Sequence, residues 1–172
     1  MNTLFDQINN LIFTKQNLER TIVSLDSLKS KLKGGKDLTE EKAREVIMHT
    51  MSEGSLKDLF LNQIEEGKLE AVSINNLQDI LKKLQDSANK SRMVDVTLSL
   101  PLSEDDLEEL AKQIEKKLQE KPILRVKIDP NILGGIILKE NTHIYDSSLK
   151  THLETYESEW MKQLKKSQKK AV

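Results

Sequence analysis

The paired glycines Gly134-Gly135 are the first place in this sequence where chemistry is conceivable, because glycine lets backbone amides close on an anion. Their surroundings argue otherwise. No Gly-Lys-Ser/Thr accompanies them, no GxGxxG spacing is present, and they lead into the apolar run Ile136-Ile137-Leu138, not into a helix N-terminus. A turn or bulge needing positive φ, or a close backbone approach, accounts for them better. His143, Asp146 and His152 make the one metal constellation on offer, at a spacing that matches no standard ligand pattern. His49 stands apart. Ser147 and Ser148 lack both a GxSxG frame and a base, which argues against nucleophilic catalysis. Asp129 and Asp146 are lone carboxylates without the partner that acid–base work requires. Asp129-Pro130 reads instead as a strand end and turn, and Asp146 as a cap for the helix that follows. There are no cysteines, so thiol chemistry, disulfides and Cys-ligated metals are excluded. The expectation is a chain with no catalytic residue, no cofactor and no metal.

The elements that carry these residues lie in the second half. Val94, Val96, Leu98 and Leu100 alternate with polar residues in a half-buried strand that Pro101 ends. Ser103-x-x-Asp106 caps a helix whose inner stripe is Leu107, Leu110, Ala111, Ile114 and Leu118, with Leu102 and Leu107 able to staple across the cap. Pro122 breaks that helix, and Leu124, Val126 and Ile128 alternate in a second strand. After Gly134-Gly135 comes a third strand, then a turn at Glu140-Asn141 and a short return at His143-Ile144. The last helix opens at Asp146-Ser-Ser148 and shows Leu149, Leu153, Tyr156, Trp160 and Leu164 on one face. The order is β-α-β-β-α, a small α+β layer whose first crossover should be right-handed if its strands are parallel. Trp160 on that face reads either as core or as an anchor for another subunit's helix.

The first half reads as four helices. Thr3-Leu-Phe-Asp6 has the outline of a capping box. From Leu4, Ile8, Leu11, Lys15, Leu18, Ile22, Leu25 and Lys29 to Leu32 the spacing is strictly 4-3, predicting one helix of ~30 residues and ~45 Å that Gly34-Gly35 stops. Such a seam needs cover, either from the other helices in a bundle or from a partner helix or second copy. Its two lysines disfavour tight parallel self-pairing. Thr39, Ser55 and Ser73 mark the remaining helix starts. Asp86 to Arg92 is polar and marks the boundary between a helical domain, 1–90, and an α+β domain, 91–172. A fragment 91–172 is expected to fold by itself.

Composition agrees with an α+β chain of this kind. Of 172 residues 37% are apolar and 32% charged, with 3% aromatic and a net charge of -1, so the basic face of a nucleic-acid binder is missing. Only the tail lysines, Lys162, Lys165, Lys166, Lys169 and Lys170, form a basic run, which suits a helix C-terminus, or else an anionic lipid or acidic partner surface. No run approaches the ~18 apolar residues of a membrane span, and the start resembles neither a signal nor a transit peptide.

Taken in order, Leu100-Pro101-Leu102-Ser103, Asp129-Pro130, Leu133-Gly134-Gly135 and Asp146-x-Ser148-Leu149-x-x-x-Leu153 resemble the C-terminal half of the delta subunit of F-type ATP synthases, the oligomycin-sensitivity-conferring protein family. The likeness is clearest over 94–156. The first half diverges, lacking the family's Tyr-Ala-x-Ala-Leu opening. The resemblance implies a non-catalytic peripheral-stalk subunit at the cytoplasmic face of a bacterial plasma membrane. Its C-terminal module would grip the b subunit through Leu149, Leu153, Tyr156 and Trp160, and its helices would touch the alpha/beta catalytic head. The E-type stalk subunit of archaeal and vacuolar-type ATPases, which also joins a long helix to an α+β module with a Gly-Gly step, is the nearest alternative. A coiled-coil adaptor and a small anion-binding enzyme are further ones.

Overall fold

The computed structural model describes residues 3–32 and 39–170, apart from the side chains of Ala71 and of 163–170. It is α+β, with helices first and a four-stranded mixed sheet after them. The expected stop at Gly34-Gly35 lies outside the described residues, as do the side chains of Leu164 and of the lysines beyond Lys162.

The single long helix is instead two: α1 (Leu4–Asn10) and α2 (Lys15–Leu32). The Thr3–Asp6 capping box is present at the start of α1. Between the helices, Leu11 to Thr14 turn the chain, and the Thr14 hydroxyl accepts from the Asn17 amide at 3.0 Å to start α2 afresh. Tertiary burial accounts for the break, because Ile12 and Phe13 are both buried but in different cores. The seam of α2 is also rotated from the expected one. Leu18, Thr21, Leu25, Leu28 and Leu32 are its buried residues. Lys29 sits at the rim against Asp26 at 2.5 Å, and exposed Lys15 pairs with Glu19. The rotation removes both lysines from the interior, where a charge without a partner is costly.

The seam is covered from within the chain. α2 packs on α3 (Glu40–Thr50) and α5 (Ile74–Lys90), with α4 (Ser55–Glu65) and a 3₁₀ turn (Leu69–Val72) completing the bundle. Thr39 and Ser73 cap as expected, accepting from the amides of Lys42 and Asn76. Ser55 also marks a helix start as expected, as the first residue of α4, with Gly54, at φ 141, in the cap position. Leu25, Leu28, Phe60, Leu77 and Leu84 are fully buried in this core, each stabilising by about 1.5–3 kcal/mol relative to exposure.

Ser91 alone separates α5 from β1 (Arg92–Leu98). The run 86–92 is therefore mostly the last turns of a helix, with Ala88 packed on the bundle, and not a loose linker. α6 (Glu104–Leu118) follows, capped by Ser103, and then β2 (Pro122–Ile128). The helix ends at Gln119 in the left-handed region, so Pro122 opens the strand and is not the breaker. β3 (Ile136–Glu140) and β4 (His143–Asp146) make a hairpin whose turn uses Asn141 at φ 51. Strand order is β2-β1-β3-β4, with β1 and β2 parallel and the other pairs antiparallel. Val94, Val96, Leu98, Leu124, Ala111 and Ile114 form the second core, and Leu107, Leu110 and Leu118 flank it. On β2 only Leu124 of the expected stripe is buried. Val126 and Ile128 are about 40% exposed, facing a groove also lined by Pro101, Leu102 and Leu107.

Candidate partner-binding surface

The Asp-Pro, Gly-Gly and Asp-x-Ser motifs meet at one end of the sheet and aim the last helix. The Asp129 amide donates to the Leu98 carbonyl at 2.8 Å, tying the end of β2 to the end of β1. The Asp129 carboxylate accepts from the Asn131 amide at 3.0 Å, and Pro130 begins a 3₁₀ turn (Pro130–Ile132). That turn delivers Leu133, at φ 66, and then the two glycines. Gly135 has φ +79, and a Cβ there would stand 2.1 Å from the Ser147 carbonyl oxygen. The space that a phosphate cradle would need is filled by the chain's own backbone. On either side of this contact the Ser147 amide donates to the Ile136 carbonyl at 2.9 Å and the Leu149 amide to the Gly134 carbonyl at 3.0 Å.

Asp146 completes the clasp. Its Oδ1 accepts from the Ser148 amide and its Oδ2 from the Thr151 hydroxyl, both at 2.8 Å. The helix cap itself is Ser148, whose Oγ accepts from the Thr151 amide at 3.3 Å and which is buried. Asp146 acts one step earlier, bracing the turn. Hydrogen bonds from Ser148 and then Thr151 hold its carboxyl below the usual carboxylate range, with a smaller contribution from His152. Among the described residues no group of three or more His, Asp or Glu side chains could hold a metal ion. Pro101 lies apart from this assembly, in the groove beside β2.

What the clasp presents is α7 (Leu149–Lys170), 22 residues long. It touches the rest of the chain chiefly at the 130–132 turn, and residues 149–162 are all exposed. Leu149, Leu153, Tyr156 and Trp160 are 48–71% exposed, at 4-3-4 spacing. Of the two readings of Trp160, the core reading is therefore set aside: the stripe is uncovered. Leu133, Ile144, Tyr145 and Met161 add 50–62% exposed apolar side chains, of which the sequence marked Leu133 only as part of the Gly-Gly motif and Ile144 only as part of a return strand. The turn at Glu140-Asn141 placed Ile144 on a return strand but carried no sign that β4 would be an edge exposed on both faces.

The mixed four-stranded sheet thus carries a long terminal helix whose described side chains, 149–162, are uncovered. A family model described as the ATP synthase delta (OSCP) subunit matches residues 9–159. The chain belongs to that family. ATP synthase subunit delta of Brevibacillus brevis is 40% identical over 84 residues, 47% of this chain and 48% of that protein. That of Persephonella marina is 38% identical over 65 residues, 38% of this chain and 36% of that protein. The chain thus spans about half the length, or less, of the curated relatives it matches. A chain in the cryo-EM structure of the Polytomella F-ATP synthase is 26% identical, covering 44% of this chain and 96% of that one at a TM-score of 0.38.

Proposed function

We propose that this protein is a non-catalytic peripheral-stalk subunit of an F-type ATP synthase, linking the b-subunit stalk to the alpha/beta head and resisting the torque of the rotor. The observation that carries the reading is the uncovered Leu149/Leu153/Tyr156/Trp160 stripe on a chain of the delta family. An apolar helical stripe at 4-3-4 spacing is the shape a second helix packs against, and the stalk's b helices are the partner this reading assigns to it. The helical part, 1–90, would meet the alpha/beta head, and 91–172 would hold the stalk. Membership in the delta family favours this role over the E-type stalk alternative. Among the described residues no helix is long and apolar enough to cross a membrane, and the proposed placement is peripheral, at the cytoplasmic face of a bacterial plasma membrane. The α2 seam, buried within the chain, leaves α7 as the surface better suited to a partner helix.

Calorimetric titration of the full chain with the soluble part of the b subunit tests the assignment. Saturable binding that Trp160→Ala weakens at least about tenfold, an effect of hot-spot size, supports it. Binding equal in both forms, or none in either, contradicts it.

A further inference from the structure

The charged residues of α7 follow an order of their own beside its apolar stripe. At about 100° per residue, Leu149, Leu153, Tyr156 and Trp160 share one face of the helix. Lys150 and Glu157 lie along one border of that face, and His152 and Glu159 along the other. Both borders therefore repeat the same sequence. A basic side chain stands near the start of the helix and a glutamate seven residues later, about 10.5 Å further along the axis. All of these side chains are exposed. Lys150 reaches only Glu154, at 3.9 Å and with both side chains more than half exposed, a contact of little energy. Among the described residues Glu157 and Glu159 have no ion-pair partner within the chain. In paired helices the positions bordering the apolar seam are the ones whose charges set partner choice and orientation.

Taking α7 as the grip for a stalk helix, as proposed above, we infer that Lys150, His152, Glu157 and Glu159 fix the direction in which that helix lies. The occupant is a single helix with an apolar stripe of its own. Its borders are acidic where they meet the first turn of α7 and basic where they meet Glu157 and Glu159. The apolar contact supplies no direction, because hydrophobic attraction is non-directional and the stripe accepts a helix run either way. Laid the wrong way, the same partner sets base against Lys150 and His152 and acid against the two glutamates. One exposed ion pair is worth little. Here attraction at every border position is exchanged for repulsion, so the two directions differ at least about tenfold in occupancy at low salt.

Trp160, the one tryptophan of the chain, lies at the far end of the stripe, about 16 Å along the axis from Leu149, and so reports direction. The probe is a designed tryptophan-free peptide of about 18 residues, above the length at which isolated helices are marginal. It has leucines at heptad spacing, glutamates at the two border positions of one end, lysines seven residues on, and glutamine at the other border positions. A nitroxide, which quenches tryptophan only at close range, is placed beside either the glutamates or the lysines. Titrated into the full chain at low salt, the peptide should quench Trp160 about tenfold more strongly from its lysine end. In about 1 M salt, where screening acts within about 3 Å, the preference should vanish. The chain carrying Lys150→Glu, His152→Glu, Glu157→Lys and Glu159→Lys, all at exposed positions, should reverse it. Equal quenching from both ends at low salt overturns the inference, as does an unreversed order in a swapped chain with the parent's circular dichroism. Should the swapped chain fail to fold, the salt series decides, and a preference that persists at high salt overturns it. Absence of peptide binding also overturns it, while the stalk assignment still stands or falls by the calorimetry with b. A parent chain that sediments as a dimer broken by Trp160→Ala overturns it as well, since a second copy then covers the stripe.

Discussion

Of the two adjacent glycines, only one should resist substitution. Gly135→Ala places a methyl where the Ser147 carbonyl oxygen stands 2.1 Å away, with the Ser147 carbonyl carbon and Ser148 Cα at 3.1 and 3.2 Å. All three are backbone atoms, so no side chain can swing aside. At φ +79 a non-glycine residue is also strained, by about 1–2 kcal/mol. Relieving the clash separates the two strands of the clasp and weakens the Ser147–Ile136 and Leu149–Gly134 hydrogen bonds, each worth about 0.5–1.5 kcal/mol. The sum is roughly 2–5 kcal/mol, or a fall in Tm of about 4–20 °C for a chain of this size. Gly134→Ala is the internal control. Its methyl would meet only Leu149, at 3.7 Å, and its φ is not positive. It should be neutral or stabilising by up to about 1 kcal/mol through the unfolded state. Urea unfolding followed by circular dichroism measures both. If Gly135→Ala lies within about 0.5 kcal/mol of the parent, the scale of an ordinary surface change, the clasp does not restrain the start of α7 and the reasoning fails.

Trp160→Ala should leave the urea midpoint within the error expected of a surface change, about 0.5 kcal/mol, because the ring is 66% exposed; a larger loss would mean that the helix packs on its own chain. Leu28→Ala, at a fully buried position on α2, should cost about 2–5 kcal/mol, and retention of full stability would show that the seam is not internally covered. Asp146→Asn should lower stability at neutral pH. A carboxyl made more acidic by folding stabilises above the ordinary carboxylate range, and that contribution is lost as pH falls through its depressed value. The gap between Asp146→Asn and the parent should therefore narrow on acidification, and urea midpoints across a pH series that show a constant gap would refute this role. The fragment 91–172 should be soluble only with reduced stability, since it lacks Phe13 and exposes Ile123; heat capacity scans that match its Tm to that of the full chain would argue for an autonomous module.

Where the burial of an element follows its own period, the sequence was a good guide. β1 alternates because only one face meets α6, and α6 shows its stripe because it lies flat on the sheet. The turn and cap residues Thr3, Thr39, Ser73, Ser103 and Asn141 act locally, so their roles were legible without the fold. The break after Asn10 was not, because the 4-3 spacing runs straight through it and no Pro or Gly interrupts. Asn9-Asn10 and the Thr14-x-x-Asn17 cap were the available local signs, and they were weaker than the seam. What decides the break is Phe13 entering a core built by residues about a hundred positions later, which periodicity does not register. The exposure of α7 was hidden for a related reason. An apolar stripe looks the same in sequence whether its cover is intramolecular or supplied by another chain.

Whether α7 is the grip of a stalk subunit is tested most directly by co-purification from native membranes. The tagged full chain and its Leu153→Ala/Trp160→Ala form would each be recovered, and the accompanying subunits identified by mass spectrometry. F-type b, alpha and beta chains are expected with the parent, and loss of b with the double variant while its circular dichroism is unchanged. Equal recovery of b by both forms, or the absence of ATP synthase subunits from the parent, would contradict it.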